Sequence, residues 1–118
     1  MSSCAQALCL CRMGNGRTAW WLLKKKDIRL RESDPYFIER VGIFEKAVAE
    51  QVADMTIQNG GPIIMVQVEN EYGSYGEDKS YVSQIRDIVR ANYPGVALFQ
   101  CDWRPTSPRT DSTTWYGP

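Results

Sequence analysis

The stretch IIMVQVENEYG, residues 63–73, changes from apolar to polar within a few positions. Its first six residues are mostly apolar and β-branched, without a strong alternation of polar and apolar side chains. A short run of this kind is typical of a strand that is buried on both faces. Glu69, Asn70 and Glu71 follow directly. The sequence therefore predicts a buried strand that ends in two carboxylates and an amide.

An amphipathic helix is predicted on each side of this strand. In the first, Asp34 suits the N-cap and Pro35 the first helical position, and the segment NGGP at 59–62 ends the helix. The second helix runs from about Asp78 to Asn92 and is broken by the Tyr-Pro-Gly sequence that follows. Steps of three and four residues define the apolar stripes, which are Phe37, Val41, Phe44, Val48, Val52 and Met55 in the first helix and Val82, Ile85, Ile88 and Val89 in the second.

A second apolar run, VALFQCDW at 96–103, completes the order helix, strand, helix, strand. This order favours an α/β fold in which crossover helices connect parallel strands. The two ends of the chain differ from this organised part. Residues 1–19 have neither helical nor strand periodicity. Residues 104–118 are rich in Thr, Ser, Pro and Arg and are predicted to be loop or disordered.

Charge and cysteine content exclude several classes of function. Lys plus Arg equal Asp plus Glu at 14 each, so no nucleic-acid or membrane partner is expected. The chain has no histidine, and three of its four cysteines fall within the first eleven residues. We therefore expect free thiols, no metal site and no cofactor. The cysteines are Cys4, Cys9, Cys11 and Cys101.

Asn70 and Glu71 are the candidate site residues. Functional side chains of parallel α/β folds gather at the carboxyl ends of the strands. A carboxyl group on a rigid strand end, beside an amide that can bind a sugar hydroxyl, suits glycoside hydrolysis, in which a carboxylic acid protonates the leaving oxygen. Nearby aromatic side chains could contact sugar rings, although packing is the commoner role for each of them; they are Trp20, Trp21, Tyr72, Tyr75 and Trp103.

Three segments carry a resemblance to a known family. WWLLKKKDIRLRESDPYF, GGPIIMVQVENEYGSYG and LFQCDW, in this order and spacing, resemble the β-galactosidases of glycoside hydrolase family 35 over residues 20–103. The resemblance implies a (β/α)8 TIM barrel and a retaining reaction on a β-galactoside. It also implies that Glu71 is the general acid/base and that Asn70 contacts the galactose. Glu69 has no assigned chemistry and is interpreted as a structural group.

By the same resemblance, residues 20–103 form about a quarter of the barrel: its third helix, fourth strand, fourth helix and fifth strand. The nucleophilic carboxylate of the family lies on a later strand, and no carboxylate of this chain matches it. Asp102 ends the next strand, but the family does not use that position as nucleophile. The isolated chain is therefore expected to be inactive. Two alternatives remain, a non-catalytic galactoside-binding or interaction module and a translation product without function.

The two ends of the chain suggest a shifted reading frame. Family members have a segment like CAEWEMGGLP before the WWLL motif, and its CAE contributes to galactose binding. Residues 11–19 can be encoded by synonymous codons that read AEWEMGGLP when shifted by one base. Residues 104–118 can likewise read ANFTTDGLDDLVW, which is similar to the family sequence after CDW. We therefore interpret residues 1–19 and 104–118 as out-of-frame segments that flank a partial catalytic barrel.

Overall fold

The structure is a computed structural model that describes residues 21–70, 72–102 and 112–116, with the backbone alone described at 70, 74, 75, 102 and 112–116. The helices and strands follow in the order α1 (Pro35–Val52), β1 (Met65–Asn70), α2 (Tyr72–Tyr75), α3 (Lys79–Asn92), β2 (Ala97–Asp102) and β3 (Ser112–Tyr116). Short 3₁₀ turns lie at Leu22–Lys24, Ala53–Met55 and Ile57–Asn59. The predicted order of helix, strand, helix and strand is confirmed, and α2 is an additional single turn.

Helix α1 begins where the sequence predicts and ends earlier. The carboxylate of Asp34 accepts hydrogen bonds from the backbone N–H groups of Tyr36 and Phe37, and Pro35 occupies the first turn. The N–H of Phe37 is the leading cause of a lowered pKa of Asp34, because it stabilises the carboxylate. The prediction that the helix continues up to the NGGP segment at 59–62 is wrong, since α1 ends at Val52 and two 3₁₀ turns follow, at Ala53–Met55 and Ile57–Asn59.

The buried face of α1 also differs from the predicted stripe. Phe37 and Val41 are buried as expected, and Glu45 and Ala49 continue the same face at steps of four residues. The predicted members Phe44, Val48 and Val52 lie at the border of this face and are half-buried. Met55 is 51% exposed, because the α-helix ends before it. The buried face of α1 thus includes the carboxylate of Glu45, which the hydrophobic pattern of the sequence did not predict.

Two glycines shape the turn that connects α1 to β1. Gly60 has φ +79°, a left-handed conformation that glycine adopts without steric cost. Gly61 donates its N–H to the carbonyl of Thr56 at 2.9 Å. A Cβ atom at Gly61 would lie 2.1 Å from the carbonyl oxygen of Met55. This close approach lets Ile63 pair with Thr56 in a parallel bridge just before β1 begins.

Replacement of Gly61 by alanine is expected to destabilise the fold. The new methyl group would collide with backbone, which cannot move aside as a flexible side chain can, so Gly61→Ala should lower the free energy of unfolding by about 2 kcal/mol or more. Gly42→Ala is the matched control, because Gly42 lies within α1 and its added Cβ meets nothing within 4 Å. It should raise stability by roughly 1 kcal/mol. Urea denaturation followed by circular dichroism measures both, and equal effects would contradict the role assigned to Gly61.

The strands form a sheet in the order β1-β2-β3. β1 and β2 are parallel, as predicted, with Met65 opposite Ala97 and Asn70 opposite Cys101. The register shifts between Gln67 and Asn70, where three steps along β1 match two along β2. An irregularity of this kind locally re-aims the side chains of the strand.

Strand β3 contradicts, at residues 112–116, the prediction that residues 104–118 are loop or disordered; the other residues of this tail lie outside the described part of the chain. Ser112–Tyr116 pairs with β2 in antiparallel orientation, with Leu98 opposite Tyr116 and Asp102 opposite Ser112. Its sequence, STTWY, is rich in β-branched and aromatic residues, which favour strands. The overall Thr and Pro content of the tail conceals this local preference. A (β/α)8 barrel contains only parallel strands, so β3 departs from the barrel pattern.

The core lies where α1 and α3 cover the sheet. β1 is buried on both faces, as predicted, since Val66, Gln67, Val68 and Glu69 are all buried. The hydrophobic core between the helices and the sheet consists, among the described residues, of Leu22, Phe37, Val41, Ala49, Ile63, Val66, Val68, Tyr72, Tyr81, Ile85, Val89, Tyr93, Val96 and Leu98.

Within the described residues, no helix is both long and apolar enough to cross a membrane.

Candidate functional site

The carboxyl ends of β1 and β2 lie side by side. Asn70 is the last residue of β1 and pairs with Cys101, and Asp102 is the last residue of β2. The predicted acid/base Glu71 follows Asn70 in the chain and lies outside the described residues, as does the side chain of Asn70.

A buried ion pair lies directly before the candidate residues. The guanidinium of Arg31 binds the carboxylate of Glu69 through two hydrogen bonds, from Nε to Oε1 and from Nη2 to Oε2, each of 3.1 Å. The side chain of Glu69 is 3% exposed and that of Arg31 is 14% exposed. Two parallel bonds of this kind fix the relative orientation of both groups. Glu69 therefore has a structural partner, in agreement with its interpretation as a structural group.

Two tyrosines complete the surroundings of this ion pair. The hydroxyl of Tyr81, on α3, donates to Oε1 of Glu69 at 2.8 Å. The hydroxyl of Tyr72, the first residue of α2, donates to the carbonyl oxygen of Arg31 at 2.9 Å. The two rings pack with their centroids 4.9 Å apart, and the Arg31 guanidinium lies 5.4 Å from the Tyr72 centroid. Burial is the main cause of a raised pKa of Tyr72, so its hydroxyl remains protonated and able to donate.

The loop before α1 is bound to the start of α3 through Asp78. This carboxylate caps α3 by accepting from the N–H groups of Ser80 and Tyr81, and it also accepts from the N–H of Ser33 at 2.8 Å. The hydroxyl groups of Ser33 and Ser80 form a further hydrogen bond. Hydrogen bonds from Ser80 and Ser33 hold the pKa of Asp78 well below its usual range. The carboxylate is thus ionised across the neutral pH range, and the loop containing Arg31 is fixed beside β1.

The aromatic residues considered as sugar contacts divide into two groups. Tyr72 is buried against Tyr81 and therefore packs within the protein. Trp21 is 39% exposed and lies outside the core. Trp20 and Trp103 lie outside the described residues, and the side chain of Tyr75 is not among those described.

The described residues give no indication of a bound metal. Among them, no group of three or more His, Cys, Asp or Glu side chains is arranged to hold an ion. Cys101 is a free, half-buried thiol. The predicted acid/base chemistry would require no metal, because carboxyl groups alone carry out proton transfer to a glycosidic oxygen.

A cavity of about 580 Å³ lies next to the segments that precede β1 and β2. Tyr93 lines it, and the Tyr93 hydroxyl is buried without a hydrogen-bond partner among the described residues. Burial, and the nearby carboxyl of Glu45, raise the pKa of Tyr93 to about 12. The walls of the cavity consist of Lys46, Ala49, Glu50, Ala53, Thr56, Gln58, Asn59, Ala91, Asn92, Tyr93 and Pro94.

Arg31 and Tyr81 contribute to this region and were not found from the sequence. Arg31 belongs to the charged run KKKDIRLRE, which is typical of an exposed segment and conceals a buried arginine. Its φ of +55° is uncommon for a side chain of this size. Tyr81 lies one position before the predicted apolar stripe of α3 and is nevertheless fully buried. Neither position carried a recognisable signal, because both depend on contacts with residues 38 and 12 positions away.

The sequence of this chain is similar to those of a family of glycosyl hydrolases and of several β-galactosidases. The sequence profile of the family described as Glycosyl hydrolases family 35 matches residues 11–115. A β-galactosidase of Xanthomonas manihotis is 45% identical over 83 residues, which is 70% of this chain and 14% of that protein. Beta-galactosidase 1 of Dictyostelium discoideum is 45% identical over 75 residues, 64% of this chain and 11% of that protein. A β-galactosidase of Pongo abelii is 49% identical over 84 residues, 70% of this chain and 12% of that protein. The chain thus spans roughly an eighth of the length of the curated relatives that it matches.

Proposed function

Because the chain belongs to family 35 of the glycosyl hydrolases, a TIM-barrel family, we propose that it is a segment of a retaining β-galactosidase that acts on terminal β-galactosyl residues. In this proposal, Glu71 is the general acid/base, which protonates the leaving oxygen and then deprotonates the attacking water. Asn70 binds the galactose, at its 2-hydroxyl group. A hydrogen bond to that hydroxyl strengthens in the transition state of such reactions.

The position of Asn70 is the observation that supports this assignment most directly. It is the last residue of β1, beside the parallel strand β2. In parallel α/β folds, the carboxyl ends of the strands carry the active site. Glu71 is the next residue in the chain, between Asn70 and Tyr72.

The fold assignment in this proposal is a partial (β/α)8 barrel. α1, β1, α3 and β2 would correspond to the third helix, fourth strand, fourth helix and fifth strand of the barrel. The parallel pairing of β1 with β2, and the crossover through α3, support this correspondence. In a barrel, Val66 and Val68 would belong to the core that packs strands against helices, as their burial with residues of α1 and α3 suggests.

We further propose that the isolated chain does not hydrolyse galactosides. Retention requires a second carboxylate, with the two carboxyl groups about 5 to 5.5 Å apart. In the family that residue comes from a later strand, and no carboxylate of this chain corresponds to it. A chromogenic β-galactoside incubated with the purified chain should release no product above that seen with Glu71→Gln. Hydrolysis by the unaltered chain that the variant lacks would overturn this part of the proposal.

A hybrid enzyme tests the function itself. In it, the matching segment of the Xanthomonas manihotis β-galactosidase is replaced by the corresponding 83 residues of this chain. We expect the hybrid to fold and to hydrolyse a β-galactoside while leaving an α-galactoside intact, with the anomeric configuration retained. Proton NMR of the first product identifies the configuration. A folded hybrid without activity would contradict the proposal that these residues form part of a galactosidase site.

The domain organisation that we propose separates three segments. In this proposal, residues 20–103 are the partial catalytic barrel and residues 1–19 and 104–118 are out-of-frame translation of a β-galactosidase gene, although the match to the family profile extends over residues 11–115. The agreement of residues 11–19 with AEWEMGGLP in a shifted frame supports this reading. The nucleotide sequence tests it directly. We expect the alternative frame to encode CAEWEMGGLP upstream and a segment like ANFTTDGLDDLVW downstream, and a gene that encodes neither would exclude the idea.

A further inference from the structure

The C-termini of two helices meet at the cavity of about 580 Å³. α1 ends at Val52 and α3 ends at Asn92, and residues at or next to both ends line the cavity. The aligned peptide dipoles of a helix produce a partial negative charge at its C-terminus, which attracts cations. α1 has no basic residue in its last turn to balance this charge, whereas α3 has Arg90. The two helix ends therefore favour positive charge in the cavity.

The neutral polar side chains of the cavity wall offer acceptors to a ligand. The nitrogen of each of the three wall amides already donates to a backbone carbonyl, and the hydroxyl of Thr56 does the same. Within the described residues, no donor reaches the oxygens of these amides. A ligand that donates hydrogen bonds thus fits this wall better than one that only accepts them. The amides and the carbonyls that they bind are Gln58 with Gly95, Asn59 with Ala53 and Asn92 with Ile88.

Tyr93 contributes a buried polar atom to the same wall. This residue is 2% exposed, and its hydroxyl has no hydrogen-bond partner among the described residues. A buried hydroxyl without a partner costs free energy, which a ligand that donates to it would recover. The rest of the wall is largely apolar, and the volume of the cavity lies in the range that is typical of small-molecule sites. The apolar wall residues are Ala49, Ala53, Ala91 and Pro94.

We propose that this cavity binds a small organic cation, in which a primary ammonium group is carried on an apolar body. The ammonium group donates hydrogen bonds to the amide oxygens and to Tyr93, and its charge is stabilised by the two helix ends. The apolar body packs against the alanines and Pro94. The inference is independent of the proposed galactosidase function, because it uses only residues of α1, of α3 and of the turns before β1 and β2.

Two charged side chains of the wall provide tests of opposite sign. Lys46 and Glu50 both belong to α1 and are exposed, and within the described part of the chain neither forms an ion pair. The carboxylate of Glu50 should attract an ammonium group, and the ammonium group of Lys46 should repel it. The buried carboxyl of Glu45, which lies near Tyr93, has a pKa raised to about 8 by burial and is mostly uncharged at pH 7. Affinities measured at pH 7 therefore report on the groups of the wall.

The test is an NMR titration of the nitrogen-15-labelled 118-residue chain at pH 7 and low salt, with benzylammonium as the probe. Benzyl alcohol and benzoate are the neutral and anionic comparisons of similar size. Benzylammonium should shift the amide signals of wall residues such as Ala49, Ala53 and Ala91. It should bind about tenfold more tightly than benzyl alcohol, because two helix ends each favour its charge. Benzoate should bind most weakly of the three.

Variants of the wall connect the affinity to the proposed contacts. Glu50→Gln should weaken benzylammonium binding roughly two- to fivefold, and Lys46→Gln should strengthen it by a similar factor. Neither should change the affinity for benzyl alcohol. Tyr93→Phe, which keeps the ring, should weaken benzylammonium binding roughly two- to tenfold. Glu39→Gln is the matched control, because Glu39 is an exposed residue near the start of the same helix and pairs with Arg40; it should leave all three affinities unchanged.

Three results would overturn the proposal. The first is equal affinity for the three probes, and the second is a set of amide shifts that lies away from the cavity wall. The third is an effect of Glu50→Gln and Lys46→Gln in the same direction. Both variants alter exposed side chains, so a common change would indicate that the charge of the probe is not recognised at this wall.

Discussion

Glu71→Gln in the hybrid enzyme is expected to lower kcat for an unactivated β-galactoside by roughly 10² to 10⁴-fold, the range that general acid catalysis contributes. Glutamine fills the same space but cannot donate a proton to the leaving oxygen. With a 4-nitrophenyl galactoside the loss should be smaller in the first step, because that leaving group departs readily without a proton. The second step should remain slow, since water still needs a base.

Azide provides a specific check of this assignment. It is already an anion and attacks the galactosyl-enzyme without a general base, so it should accelerate turnover of the 4-nitrophenyl substrate by the variant and yield β-galactosyl azide. The alkaline limb of the pH profile should also disappear, because the titrating acid is absent. Mass spectrometry and NMR identify the azide product.

A nearby glutamate serves as a control that separates loss of the catalytic group from general damage. Glu77 is exposed and lies six residues after Glu71, and Glu77→Gln should leave the kinetic constants of the hybrid unchanged. Full activity of Glu71→Gln on the unactivated substrate, or formation of α-galactosyl azide, would contradict the proposed mechanism.

The stability of the chain is expected to fall as the pH rises from about 4.5 to about 8, because of Glu45. This side chain is fully buried on α1, and within the described residues no donor reaches either of its carboxyl oxygens. Burial raises the pKa of Glu45 from 4.5 to about 8, since the charged form has lost its hydration without gaining a partner.

The sign follows from the protons bound in each state. Between pH 4.5 and 8 the unfolded chain has released the proton of Glu45 and the folded chain retains it, so folding binds a proton and becomes less favourable as the pH rises. The contribution of Glu45 to the free energy of unfolding is fully present below about pH 4.5 and is lost as the pH rises through about 8. Over the whole interval it amounts to on the order of 5 kcal/mol.

Removal of the carboxyl should abolish this dependence. Glu45→Leu is expected to flatten the stability profile between pH 5 and 8.5 and to make the variant more stable than the unaltered chain at pH 8, because an apolar side chain suits this buried position. Glu50→Gln is the control, since Glu50 is an exposed residue of the same helix, and it should retain the slope. Urea denaturation at several pH values measures all three. A slope that persists in Glu45→Leu would assign it to another group.

Local patterns predicted the helices and the parallel strand pair well. Caps at Asp34 and Asp78 act within one helical turn, so the sequence alone locates where α1 and α3 begin. Burial of β1 was also predictable, because its composition shows no exposed face. These features depend on neighbours that lie close along the chain.

The remaining features depend on distant contacts. The end of α1 at Val52 follows from the close approach of Gly61 to Met55, which no helical period indicates. β3 forms because it pairs with β2, a contact that the composition of residues 104–118 does not indicate. The roles of Asn70 and Glu71 came from resemblance to a family, whereas the surroundings of Glu69 required the fold itself.

The contacts that fix the candidate site share a long separation along the chain. Arg31 and Glu69 are 38 positions apart, Tyr72 and Arg31 are 41 apart, and Ser33 and Asp78 are 45 apart. Each closes a loop whose entropy must be lost before the contact forms, whereas α1 and α3 form from local contacts. We therefore expect the site to assemble late in folding, after both helices have formed and β1 has paired. A protease added during refolding should cut the loop around Arg31 until that final step. The time at which this loop becomes resistant to cleavage therefore measures when the site is complete.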